Sequence, residues 1–206
     1  MKRGVILLNG DSPSMIPSFS KDDFIVCADG AFSWAKEKGI CPNVLLGDFD
    51  SLKSADGFDG EILRFSAEKD ETDAQLALDF LIEKGVKEIL VLGASGKRED
   101  HFFGNLQLLL RAKKKGVFVT LLSDFTLITL HDAPFSKNVR VGTTLSLLPF
   151  FSDVHIIRTQ GLKYEVQNRT LVADETLGIS NVATKENVEV EIGSGMLLCF
   201  EVLCAD

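Results

Sequence analysis

The feature that most constrains this chain is a change of periodicity part-way along it. Up to about residue 124, short apolar runs alternate with stretches of helical spacing, and beyond it the helical spacing stops. Residues 4–9 and 24–28 read as buried strands bounded by turn residues. Residues 31–38 read as a helix stopped by Gly39, with Pro42 just beyond. Residues 44–46 and 61–65 are a third and fourth strand. A helix over 72–84 closed by Gly85, a strand at 88–92, a helix over 101–115 closed by Gly116 and a strand at 117–122 follow. Continuous apolar strands separated by helices imply a parallel sheet covered on both faces.

The second half reads differently. Apolar runs at 125–130, 144–150, 154–157, 162–166, 188–192 and 196–203 recur with only turn-like stretches between them. Glu189-Val190-Glu191-Ile192 alternates cleanly, as a half-exposed antiparallel strand does. The expected fold class is therefore α/β: a parallel α/β sandwich N-terminal domain followed by an all-β sandwich C-terminal domain. The boundary falls between residues 125 and 140, giving domains 1–130 and 131–206.

Charge placement narrows the partners. The net charge is −8, and residues 21–100 alone carry 10 basic and 18 acidic residues. Duplex nucleic acid and anionic membrane surfaces both need a basic face, so neither is an expected partner. The apolar run after Met1-Lys2-Arg3 is too short for a signal-peptide core, and no stretch approaches bilayer-spanning length. Four cysteines without a Cys-x-x-Cys pair read as reduced thiols, Cys27 and Cys199 being buried. A cytoplasmic location is expected.

The acids fall repeatedly at expected strand ends, where ligands gather in a parallel sheet. Asp29-Gly30 follows the second strand and Gly47-Asp48-Phe49-Asp50-Ser51 the third. Lys69-Asp70-Glu71-Thr72-Asp73 precedes a helix, and so does Gly93-Ala94-Ser95-Gly96-Lys97-Arg98-Glu99-Asp100. Asp-x-Asp on an extended segment can aim two carboxylates one way, which suits a hard divalent cation such as Mg²⁺. Taken singly, Asp48 and Asp73 read equally as turn or N-cap residues. Four acidic loops at successive strand ends favour the metal. Gly93 and Gly96 permit close backbone approach while Lys97 and Arg98 can meet phosphate oxygens, although a surface turn explains the loop alone nearly as well. No P-loop motif occurs. His101 reads as a phosphate donor, a general acid or a structural helix-start residue. No His/Cys spacing suggests zinc, and no Gly-x-Ser-x-Gly elbow supports a serine nucleophile.

Taken in order, Ala28-Asp29-Gly30-Ala31, Gly47-Asp48-Phe49-Asp50-Ser51, Lys69-Asp70-Glu71-Thr72-Asp73 and Gly96-Lys97-Arg98-Glu99-Asp100-His101 resemble the signature blocks of the thiamin pyrophosphokinase family. Gly161-Leu162-Lys163-Tyr164 and Thr176-Leu177-Gly178-Ile179-Ser180-Asn181 resemble its thiamine-binding C-terminal domain. The resemblance implies transfer of the β,γ-pyrophosphoryl group of ATP to the hydroxyl of thiamine, giving thiamine diphosphate and AMP. It implies a homodimer with thiamine between subunits. Carried over, Asp48, Asp50 and Asp73 would hold Mg²⁺, with Asp70 and Asp100 lining the same pocket, one of them helping to orient or deprotonate the hydroxyl. Arg98 would contact phosphates, Asp29, Gly30, Thr72, Gly96, Lys97 and His101 would help bind the nucleotide, and Ser180 and Asn181 would face thiamine. Two positions depart from the family pattern: Lys97, where a second glycine is common, and Val182, where Glu often stands. The competing readings are an aspartate-nucleophile phosphohydrolase, for which a later Asp-Asp pair is missing, and a non-catalytic ligand-sensing module.

Overall fold

A computed structural model describes residues 3–49, 57–66 and 68–203. The chain divides into two compact units, Met1–Asp124 and Phe125–Asp206.

In the first unit, strands β1 (Gly4–Leu7), β2 (Phe24–Ala28), β3 (Val44–Gly47), β4 (Glu61–Arg64), β5 (Glu88–Leu92) and β6 (Phe118–Leu122) form a wholly parallel array in the order β4-β3-β2-β1-β5-β6. The run Gly4-Val-Ile-Leu is buried throughout because helices cover both faces. Successive side chains point to opposite faces. Val5, Leu7, Cys27, Leu45, Leu90 and Leu92 pack with Ala31, Phe32 and Ala35 around helix α1 (Phe32–Glu37). Ile6 and Val91 face the other side, towards Ala74 and Leu78 of α2 (Asp73–Glu83) and Leu108 of α3 (Glu99–Lys114).

Helices α2 and α3 start where the acids lie. Thr72 caps α2, its hydroxyl accepting the Gln75 N–H at 3.3 Å, and Asp73 opens the helix. Helix α3 begins at Glu99, two residues before the expected start, so Asp100 sits in the first helical turn and not on the preceding loop. Asp29 likewise belongs to a 3-10 turn, Asp29–Ala31. Carboxylates in a first turn complement the helix dipole, which is why the helices reach back to include them.

The second unit holds β7 (Thr126–His131), β8 (Phe135–Asn138), β9 (Thr144–Pro149), β10 (Val154–Gln160), β11 (Gln167–Leu171), β12 (Asn181–Val182), β13 (Asn187–Ser194) and β14 (Leu197–Val202). Two antiparallel layers, β12-β9-β14-β7 and β11-β10-β13-β8, enclose a core of Leu145, Leu147, Val154, Ile156, Val188, Val190, Ile192 and Leu197. This is the expected sandwich. The strand expected at 162–166 does not form: Leu162 makes one isolated bridge to Ala183, and β11 forms further on. Four of the five β11 residues are exposed, so that strand carries almost no apolar signal.

Candidate active site

The strand order reverses direction between β1 and β5, and such a switch point opens a crevice at the strands' carboxyl ends. A cavity of about 370 Å³ lies there. Its walls come from the segments that leave the strands: Leu8, Asn9 and Gly10 after β1, Asp29 after β2, Asp48 after β3, and Gly93, Ala94, Gly96, Lys97 and Arg98 after β5, joined by Lys69, Thr72 and Asp73 at the head of α2.

Of the residues expected at the site, Asp29, Asp48, Thr72, Asp73, Gly96, Lys97, Arg98 and His101 meet around this cavity. Asp100 does not line it; it lines an adjoining cavity of about 420 Å³ that shares Thr72, His101 and Asn105 as a common wall. Gly30 and Asp70 are not among the described lining residues of either. Asp50 lies outside the described residues. Ser180 and Asn181 belong to the second unit.

Asp29 is the buried anion of the set, 4 % exposed. Its Oδ2 accepts the Phe49 N–H at 2.7 Å and its Oδ1 the Gly30 N–H. Burial pushes this carboxyl above the usual range; the two backbone donors oppose that, and the nearby Asp73 and Asp48 charges add to it. Gly30 is needed because a Cβ there would lie 2.4 Å from the Asn9 amide nitrogen.

The cations are placed differently from one another. Lys69 Nζ donates to Asp73 Oδ1 at 2.6 Å, with side chains 15 % and 28 % exposed. Arg98 grips Asp100 with two donors, Nε reaching Oδ1 at 3.0 Å, and holds that carboxyl below the usual carboxylate range. Lys97 Nζ reaches from the β5 loop to Asn9 Oδ1 on the β1 loop at 3.0 Å. Its backbone is left-handed at φ 61°, a conformation glycine adopts freely and lysine does not.

Among the described residues no three acidic, His or Cys side chains form a ready-made metal cluster. Mg²⁺ needs only one or two protein carboxylates and keeps waters or phosphates as its other ligands. Asp48 and Asp73 supply hard oxygen donors on the wall of this cavity. The residues fit the ion.

Sequence reasoning missed Asn9, Gly10, Lys69 and Asn105 as site residues. Asn105 is 8 % exposed, and its Nδ2 donates to the Ala94 carbonyl at 2.7 Å, pinning the β5–α3 loop. The available signal was its spacing of four from His101 on an otherwise apolar helix face.

In the second unit, Asn181 is 6 % exposed and its amide is committed to the Tyr164 backbone. Oδ1 accepts the Tyr164 N–H at 3.0 Å and Nδ2 donates to the Tyr164 carbonyl at 2.7 Å. Asn181 thereby fixes the base of a tyrosine that is itself 62 % exposed. Ser180 is exposed, left-handed at φ 58°, and donates its N–H to Ser146 Oγ at 3.0 Å.

Comparison with known proteins places these features in context. The profile described as "Thiamin pyrophosphokinase, catalytic domain" matches residues 17–121, and "Thiamin pyrophosphokinase, vitamin B1 binding domain" matches residues 131–197. The chain is 32 % identical over 172 residues to the thiamine pyrophosphokinase of Bacillus subtilis (strain 168), covering 79 % of each. A crystal structure of the thiamine pyrophosphokinase from Bacillus subtilis superposes with a TM-score of 0.87 at 27 % identity, covering 98 % of this chain and 99 % of that one. The thiamin pyrophosphokinase structure from Geobacillus thermodenitrificans gives 0.85 at 26 %, covering 100 % and 99 %.

Proposed function

This chain belongs to the thiamin pyrophosphokinase family and forms thiamine diphosphate; we propose that it does so by an Mg²⁺-dependent transfer at the β1/β5 switch point, as a cytoplasmic homodimer. The observation that carries the site assignment is the convergence of Asp29, Asp48 and Asp73 with Lys69, Lys97 and Arg98 on one cavity at that switch point.

The reaction moves the β,γ-pyrophosphoryl group of ATP. The thiamine hydroxyl oxygen bonds to the β-phosphorus, the bond from that phosphorus to the α–β bridging oxygen breaks, AMP leaves, and a site carboxylate takes the hydroxyl proton. Catalysis of this kind is mainly positioning and charge neutralisation. Asp48 and Asp73, with Asp50 two residues after Asp48, are the proposed Mg²⁺ ligands; the ion, when bound, would neutralise charge on the transferring phosphates. Arg98 and Lys97 are the proposed phosphate contacts, assisted by the α3 N-terminus with His101 in its first turn. Asn105 holds the loop that carries both cations. Asp29 accepts backbone donors from the β2 and β3 ends and so fixes where Gly30 and Asp48 stand.

For thiamine, Ser180 and Asn181 are the proposed recognition segment, Asn181 acting through the Tyr164 backbone it holds. Exposed Tyr164, Leu177 and Ile179 beside that segment support a subunit contact there. Dependence on ATP supports the cytoplasm as the compartment.

The test is to incubate the purified protein with ATP, thiamine and Mg²⁺ and to follow products. AMP and thiamine diphosphate in equal amounts are expected. ADP with thiamine monophosphate overturns the pyrophosphoryl assignment, and near-normal turnover in both Asp48→Asn and Asp73→Asn removes the metal role.

A further inference from the structure

The Lys and Arg side chains that line the cavity among the described residues, Lys69, Lys97 and Arg98, have unequal partners. Lys97 bonds a neutral amide oxygen, and Arg98 bonds Asp100, which lines the adjoining cavity. Lys69 alone is paired with a carboxylate that lines the same cavity, Asp73. The pair is partly buried and its ammonium also lies 5.6 Å from the Phe65 ring centroid, so the lysine is held in place from two sides.

We propose that Lys69 is an internal counter-ion that occupies Asp73 until the nucleotide arrives, so that metal and nucleotide bind together and metal alone binds poorly. This rests on the assignment of Asp73 as a metal ligand above. The reasoning is electrostatic. An ammonium 2.6 Å from a carboxylate competes directly with a divalent cation for the same oxygen. Polyphosphate entering the cavity offers the ammonium an alternative anion within reach of a flexible four-carbon stem. Once the lysine turns to phosphate, the Asp73 oxygen is released to the metal that travels with the nucleotide. Lys69 is thus a positioning residue whose charge opposes metal binding and favours nucleotide binding.

The two effects have opposite signs, which a purely structural role does not produce. Mn²⁺ binding is read by electron paramagnetic resonance without nucleotide, and ATP binding is read by calorimetry in EDTA, for the wild type, Lys69→Met and Lys69→Arg. Lys69→Met is expected to bind Mn²⁺ alone about tenfold more tightly and metal-free ATP several-fold more weakly. Lys69→Arg keeps the charge and is expected to retain weak Mn²⁺ binding. The gain is expected to vanish in Lys69→Met combined with Asp73→Asn.

Unchanged or weaker Mn²⁺ binding in Lys69→Met, with Mn–ATP still bound by the wild type, overturns the role of Lys69 and leaves the proposed reaction standing. A gain that persists without Asp73 overturns it too, because the effect then comes from overall charge. No Mn²⁺ binding by any variant, with or without ATP, overturns the metal assignment on which it rests.

Discussion

The carboxylate of Asp29 fills the space that a side chain on residue 47 would need. A Cβ at Gly47 would lie 2.6 Å from the Asp29 carboxyl carbon, and the Gly47 backbone is at φ 152°. The end of β3 can therefore carry only glycine while Asp29 receives the Phe49 N–H.

Gly47→Ala is accordingly expected to lower stability by about 1–3 kcal/mol and to cost more activity than stability, because Asp29 and Asp48 must shift to admit the methyl group. Chemical denaturation and a turnover assay on the same preparation check this. An alanine variant with unchanged turnover would show that the Asp29–Phe49 contact is dispensable.

Lys97→Gly separates two properties of one residue. Removing a left-handed side chain is expected to stabilise the fold by about 1 kcal/mol. The same change removes the cation that spans the β1 and β5 loops, and the KM for ATP is expected to rise. Thermal melts without nucleotide against ATP titrations of initial rate read the two separately.

Asn181→Ala removes an acceptor and a donor from the Tyr164 backbone and is expected to cost roughly 1–3 kcal/mol. Weaker thiamine binding with an unchanged KM for ATP is the accompanying expectation. Calorimetry with each substrate distinguishes the two.

Stability at acid pH depends on Asp23. Burial pushes its carboxyl up, but the Ser20 N–H and the Arg3 guanidinium outweigh that and hold it below the usual value of 3.8. A depressed carboxylate stabilises the fold above its unfolded pKa, and the contribution is lost as pH falls through the folded value. Asp23→Asn is therefore expected to destabilise the protein at pH 7 and to flatten the loss of stability below about pH 4. A denaturation series from pH 7 to pH 2 on both proteins measures it.

Thiol reactivity follows burial. Cys41 is exposed, whereas Cys27 and Cys199 are buried, and burial pushes the Cys199 thiol up to about 11. Iodoacetamide at pH 7.5 followed by peptide mapping is expected to find Cys41 alkylated, with Cys27 and Cys199 protected until denaturant is added.

Particular elements show what could be read in advance. The central strands were plain because Val5, Ile6 and Leu7 must all be apolar when both faces of the sheet are covered. Strands β8, β11 and β12 were not, since edge or short strands with polar residues form only through a partner supplied by the rest of the chain. The acids were legible as a group, while their division between two cavities was not. Asp100, in the first turn of α3, is bonded by Arg98 and lines the adjoining cavity.

Local composition and spacing thus determined the two kinds of layer, the run of carboxylates at strand ends, and the cations of the Gly93–Asp100 loop. Only the tertiary structure decided that β1 and β5 lie side by side with their exits forming the crevice, and that Asn9 and Asn105 belong to its walls. Periodicity reports which side of an element is buried. It carries no information on which elements become neighbours, because that is settled by packing between residues far apart in the chain.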